Sequence, residues 1–163
     1  MRYTRISADC HIDLPWLPAD LFTSNASAAM KDRMPYVADG PDGPYWTSKK
    51  GAAMGLVAGT GSSGGKYVPG QNYRLDVMAS TGLFDDGKKG IRRPADPHLR
   101  IAEMERDGVD AEVMFGILGA ASRLGDHEVT GEMFRVARLG LRGVELSCSW
   151  DMEPMWHPCW EPL

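Results

Sequence analysis

The order of strand and helix patterns along the chain constrains its fold most. A short alternating pattern over residues 3–11 indicates a first strand, and a segment with few charges over residues 109–115 indicates a second. Between them lies a helix pattern with Asp96 as N-cap, Pro97 at the first helical position and Gly108 as the stop. A connection that contains a helix of this length favours parallel pairing of the two strands, so the sequence predicts an α/β fold.

Further patterns extend the alternation beyond residue 115. A second helix is predicted over residues 128–139, a third strand over residues 142–147, and the start of another helix over residues 156–161. A closed (β/α)₈ barrel needs eight strands and typically about 250 residues. We therefore expect residues 1–163 to form a single incomplete domain, with β/α units over residues 94–163.

Regular periodicity fades over residues 20–93, which we interpret as a long insertion or loop region after the first strand. Its middle part, residues 51–70, is too rich in glycine for a helix or strand interior. Short helices are expected near residues 26–33 and 77–82. A loop region of this length is either functional, for example a lid, or disordered.

Composition excludes several classes of protein. The fractions of hydrophobic residues, 43%, and charged residues, 25%, are those of a folded globular chain. A net charge of −4 argues against binding to nucleic acid. No apolar stretch has the length of a signal peptide core or a membrane span, so a cytoplasmic protein is expected. Cys10, Cys148 and Cys159 fit no disulfide framework and are interpreted as free thiols.

His11 and Asp13 are the clearest candidates for chemistry. Two residues apart on an extended segment, they project to the same side and can bind one metal ion, while Ile12 faces the other way. The alternative is a histidine and an aspartate that only hydrogen-bond each other. Cys10, adjacent to His11, is expected to face away and to pack rather than ligate.

The string Asp9-Cys10-His11-Ile12-Asp13 resembles the opening Asp-x-His-x-(His or acid) motif of the amidohydrolase superfamily. The closest resemblance is to the branch that contains aminocarboxymuconate-semialdehyde decarboxylase. Residues 102–115 resemble the first helix and second strand of that branch, residues 138–146 its passage into the fourth strand, and residues 156–163 the start of the next helix. The resemblance implies a partial (β/α)₈ barrel of the metal-dependent hydrolase type, too short to close.

The resemblance also implies chemistry. A divalent metal ion, zinc or alternatively manganese, would be bound by His11 and Asp13 and would assist hydrolysis of an amide, lactone or similar bond, or non-oxidative decarboxylation, of a small organic substrate. Members of the branch often carry His or Glu at the position of Asp13. They also take ligands from later strands, whereas this sequence ends before a fifth strand and has one helix near Arg135-Val136 where the family has a helix, a strand and another helix. An internal deletion, a divergent short form or a misassembled gene would each explain this difference.

Three other sets of residues are candidates for parts of a site. Cys148, Ser149 and Trp150 follow the third predicted strand and could line the substrate site, although packing explains the tryptophan equally well. Histidines elsewhere could rebuild a metal site at the same mouth, but such residues are more often solvated or capping. They are His98, His127 and His157. Residues 59–64 match G-x-G-x-x-G, but no helix follows them, so a loop is favoured over a nucleotide site.

A second class of function stays open. The chain could be non-catalytic, either a fragment or a part that works only in association with other chains and without metal. Open parallel sheets expose strand edges, so a homo-oligomer is possible under either interpretation. The sequence alone does not separate hydrolysis from decarboxylation and does not identify the substrate.

Overall fold

The computed structural model describes residues 4–61, 63–118 and 124–137, together with Pro158. Its strands are β1 (Ile6–Asp13), β2 (Tyr36–Ala38), β3 (Tyr45–Thr47) and β4 (Ala111–Leu118). Its helices are α1 (Leu21–Asn25), α2 (Tyr73–Ser80), α3 (Leu83–Lys88), α4 (Pro97–Asp107) and α5 (His127–Ala137), with 3₁₀ turns at Leu14–Trp16 and Lys31–Arg33. None of the described helices is both long enough and apolar enough to cross a lipid bilayer.

Strands β1 and β4 form a parallel pair, which confirms the predicted crossover connection. The register places Ile6 beside Ala111 and Asp13 beside Leu118, with two irregularities along the way. A separate antiparallel hairpin joins β2 to β3. Over the described residues the fold is therefore mixed α/β with a small parallel sheet, and these residues do not close a barrel.

Helix α4 has the boundaries that its capping residues predict. The Asp96 carboxylate accepts hydrogen bonds from the backbone N–H of His98 at 2.9 Å and of Leu99 at 3.0 Å, and Gly108 ends the helix with φ of +68°. Its apolar residues Leu99 and Ile101 are exposed, and no residue of α4 is buried by the described part of the chain.

The region over residues 20–93 has more regular structure than its sequence predicts. Helix α2 overlaps the helix expected near residues 77–82, and the 3₁₀ turn at Lys31–Arg33 lies within the range 26–33. Helices α1 and α3 lie outside both expected ranges. Its apolar side chains form much of the main core together with α5. The core residues from this region are Phe22, Met34, Trp46 and Met54, and those from α5 are Val129, Met133 and Val136. Residues 20–93 thus contribute to the folded core, and Ile12 near the end of β1 packs against the same core.

Helix α5 confirms the helix predicted over residues 128–139, whose last two residues lie outside the described part of the chain. It runs continuously through Arg135 and Val136. The predicted third strand at residues 142–147 also lies outside the described residues. So does the predicted helix start at residues 156–161, apart from Pro158.

Candidate metal centre

The C-terminal end of β1 brings His11 and Asp13 to one side of the strand, as the sequence predicts. The Nδ1 atom of His11 lies 3.1 Å from Oδ1 of Asp13. Ile12, between them, packs against the main core cluster. Side chains therefore alternate along the strand at this point. His11 and Asp13 lie on one side of β1, and Ile12 lies on the side that faces the main core.

Asp13 is placed where a carboxylate is costly to ionise. The residue is 9% exposed, and its Oδ1 atom is shielded from solvent with no hydrogen bond to any described group. The Nδ1 atom of His11, 3.1 Å away, is the polar atom that lies beside this oxygen. Burial raises the pKa of Asp13 above its usual value, and the neighbouring His11 offsets part of this rise.

A cleft of about 410 Å³ opens over this pair. Much of its wall is apolar and comes from the segment that follows β1. The apolar lining residues are Trp16, Leu75, Met78, Leu83, Phe84 and Pro94. Two polar residues of α2's first turn, Asn72 and Arg74, also line the cleft. Asn72 is the N-cap of α2, since its side chain accepts from the backbone N–H of Arg74 at 3.0 Å and of Leu75 at 3.3 Å.

The donor atoms of the pair suit a divalent cation. An imidazole nitrogen and a carboxylate oxygen are ligands that both zinc and manganese accept. The Oδ1 atom of Asp13 is buried and has no hydrogen-bond donor in the described part of the chain, so a bound cation would satisfy it. The pair fits a metal ion on these grounds, although the described residues contain no cluster of three or more His, Cys, Asp or Glu side chains that could hold one.

Cys10 belongs to a different group of side chains, as expected. Its Sγ atom lies 3.0 Å from the Ser7 hydroxyl and donates to Oε1 of Glu112 at 3.3 Å. The other carboxylate oxygen of Glu112 accepts from Arg100. These contacts occupy the thiol away from the His11 and Asp13 cleft.

The other predicted candidates do not join the pair in the described structure. His98 is exposed in the first turn of α4, and His127 begins α5; neither is among the described residues that line the cleft. His157, Cys148, Ser149 and Trp150 lie outside the described residues.

Thr60, in the segment that matches G-x-G-x-x-G, pairs with Gly65 in an isolated antiparallel bridge. The next helix, α2, starts only at Tyr73, in agreement with the interpretation as a loop.

Sequence reasoning missed Arg74 and Asn72 as neighbours of the pair. Asn72 before a helix pattern is an N-cap signal that could have placed the start of α2. No local pattern indicates that this helix start folds back over the end of β1. Comparison with family models, with curated proteins and with solved structures found no match to this chain.

Proposed function

We propose that the chain belongs to a metal-dependent enzyme of the amidohydrolase type, built on a partial (β/α)₈ barrel. His11 and Asp13 are two of its metal ligands. The supporting observation is the shielded Oδ1 of Asp13, which lies 3.1 Å from the imidazole of His11 and has no hydrogen-bond donor in the described structure. The parallel pairing of β1 with β4 is consistent with the first two strands of such a barrel.

The bound ion would polarise the reacting group or lower the pKa of a water molecule. The described residues prepare the site for it. Asp13 has little solvent around its carboxylate. A metal cation beside it would therefore stabilise the ionised form of this buried group. The His11 side chain is 40% exposed and supplies an imidazole nitrogen to the ion.

The cleft favours a small substrate with an apolar body. Its volume, about 410 Å³, and its wall of Trp16, Leu75 and Phe84 exclude water from one side of such a molecule. Arg74 forms no ion pair with a described residue and offers a cation to a negatively charged group. A small organic acid, ring or amide is the substrate class. Hydrolysis and non-oxidative decarboxylation are both compatible with it.

Two ligands bind a metal ion weakly, so the full site needs further donors. In this proposal they come from outside the described residues or from another copy of the chain. A non-catalytic, association-dependent chain is the second candidate function. It is supported by apolar side chains exposed on the two-stranded sheet, since Ile6 is 54% and Val113 50% exposed.

Activity measurements on the purified full chain test the proposal. The chain is supplied with zinc or manganese and assayed against a panel of amides and lactones, and for release of carbon dioxide from small organic acids. We expect metal-dependent turnover that His11→Ala and Asp13→Ala abolish and His98→Ala leaves unchanged. Turnover that persists in both cleft variants contradicts the assignment, and a metal-independent oligomer without turnover supports the second candidate.

A further inference from the structure

A second cleft, of about 590 Å³, lies beside the first one. Gly59 and Phe84 line both, so the two clefts share part of one wall. Phe84 stacks on Tyr67 with ring centroids 4.8 Å apart and an interplanar angle of 17°. The Tyr67 hydroxyl donates to Asp76 at 2.8 Å, which fixes the orientation of the ring. Leu56 and Val57 extend this apolar side.

Positive charges line the same cleft. The residues that line the cleft include three cations and one carboxylate. The cations are Lys66, Lys88 and Arg92, and the carboxylate is that of Asp42. Asp42 accepts from Lys66 at 2.8 Å in an exposed pair. Lys88 pairs at 3.0 Å with Asp85, which is not a lining residue. Exposed pairs of this kind contribute little to stability, so both ammonium groups can turn toward a ligand at small cost.

Of the three cations that line this cleft, Arg92 is the one without an ion pair to a described residue. It is half-buried, and its Nη1 atom is shielded from solvent with no hydrogen-bond acceptor in the described structure. Burial lowers its pKa, and the nearby Asp20 opposes this effect without forming an ion pair. Because Arg92 lines the cleft, an anion bound there would offset the cost of keeping this half-buried guanidinium charged.

The glycine-rich loop beside this cleft does not offer its backbone to a phosphate. The N–H of Gly59 donates to Leu56, that of Gly64 to Gly61, and those of Thr60 and Gly65 to each other's carbonyl groups. A nest of free backbone donors, as in phosphate-binding loops, is therefore not provided by these four residues. Recognition falls to the side chains, which combine an aromatic wall with cations.

We propose that this cleft binds a small aromatic carboxylate. The ring lies along the wall that Phe84, Leu56 and Val57 form, and the carboxylate pairs with Arg92, assisted by Lys66 and Lys88. The site is separate from the proposed metal centre and does not depend on a metal ion.

Titration of the full chain with benzoate in the presence of a chelator tests this site. Binding is measured by calorimetry, and the contact region by amide chemical shifts in NMR. Benzamide and benzylammonium serve as neutral and cationic probes of the same size. We expect benzoate to bind at least about tenfold more tightly than either, because the ion pair with Arg92 is lost in both. The amides of Gly65 and Tyr67 should shift.

Three variants locate the site. Arg92→Gln and, as an exposed change that leaves the core untouched, Lys66→Gln should each weaken benzoate binding. Lys49→Gln should not, because Lys49 pairs with Asp32 and does not line this cleft. His11→Ala should leave it unchanged, which separates this result from failure of the proposed metal centre. Equal binding of benzoate and benzamide, or undiminished binding by both cleft variants, overturns the inference.

Discussion

Glu132 joins α5 to the segment that follows α1, and its replacement by glutamine is a sharp test of this part of the fold. The residue is 7% exposed. Its Oε1 atom accepts from the backbone N–H of Ser27 at 2.6 Å and from Nη2 of Arg135 at 2.8 Å, and its Oε2 accepts from Nε of Arg135 at 2.8 Å. Arg135 also donates to the carbonyl of Asn25 at 3.1 Å.

The magnitude follows from the pKa of this carboxyl group. Hydrogen bonds from Arg135 lower it most, burial opposes them, and the Ser27 amide adds to the lowering, so that the pKa falls from 4.5 to about 2. One pKa unit corresponds to about 1.4 kcal/mol, so the ionised form contributes up to about 3 kcal/mol. Because the pKa is lowered in the folded state, this contribution is present above pH 4.5 and is lost as the pH falls toward about 2.

Urea unfolding followed by circular dichroism measures the effect. At pH 7, Glu132→Gln should lower the free energy of unfolding by about 2 kcal/mol, because the amide keeps one acceptor for Ser27. Glu128→Gln is the matched control on the same helix. Glu128 is 68% exposed and its ion pair among the described residues is with Arg33, so about 0.5 kcal/mol is expected. Equal losses in both variants, or a loss from Glu132→Gln that is undiminished near pH 2, would refute this reasoning.

Three more changes test the local structure. Asp96→Ala should lower the free energy of unfolding by about 1 kcal/mol in urea titrations, through loss of the α4 cap, and an unchanged midpoint would contradict the capping role. Gly64→Ala should lower the thermal midpoint of the protein more than Gly61→Ala. Both glycines have positive φ, but only at Gly64 would an added Cβ atom meet backbone, 2.5 Å from Cα of Gly55. Equal thermal midpoints in the two variants would contradict this packing. Asp13→Asn should stabilise the chelator-treated protein at pH 7, because burial raises the pKa of this carboxyl group and His11 offsets only part of the rise. A loss of stability in thermal unfolding would argue that His11 already satisfies the carboxylate.

Local signals predicted the elements that are set by nearby residues. Asp96, Pro97 and Gly108 define both ends of α4, and the crossover through this helix fixes the parallel pairing of β1 and β4. The period of two along β1 placed His11 and Asp13 on one side. In each case the determining atoms are within a few residues of the feature.

The remainder depends on contacts between distant segments. Trp46, in a strand of three residues, is fully buried because it packs edge-on against Phe22, and no periodicity in so short a strand indicates this. Asp126 forms ion pairs with Arg33 and Lys50, which are far from it in sequence. Burial opposes ionisation of Asp126, but these hydrogen bonds outweigh it and hold its pKa at about 2. For the same reason the position of Arg74 over β1 could not be read from the sequence.

The assignment of His11 and Asp13 as metal ligands is tested by the affinity of the pair for a divalent metal ion. Cobalt(II) is titrated into the chelator-treated full chain and followed by its visible absorption, for the parent chain, His11→Ala, Asp13→Asn and His98→Ala. We predict one equivalent of bound cobalt in the parent and in His98→Ala, with affinity at least about tenfold weaker in the two cleft variants. The same affinity in all four proteins, or no cobalt bound by the parent, would contradict the account.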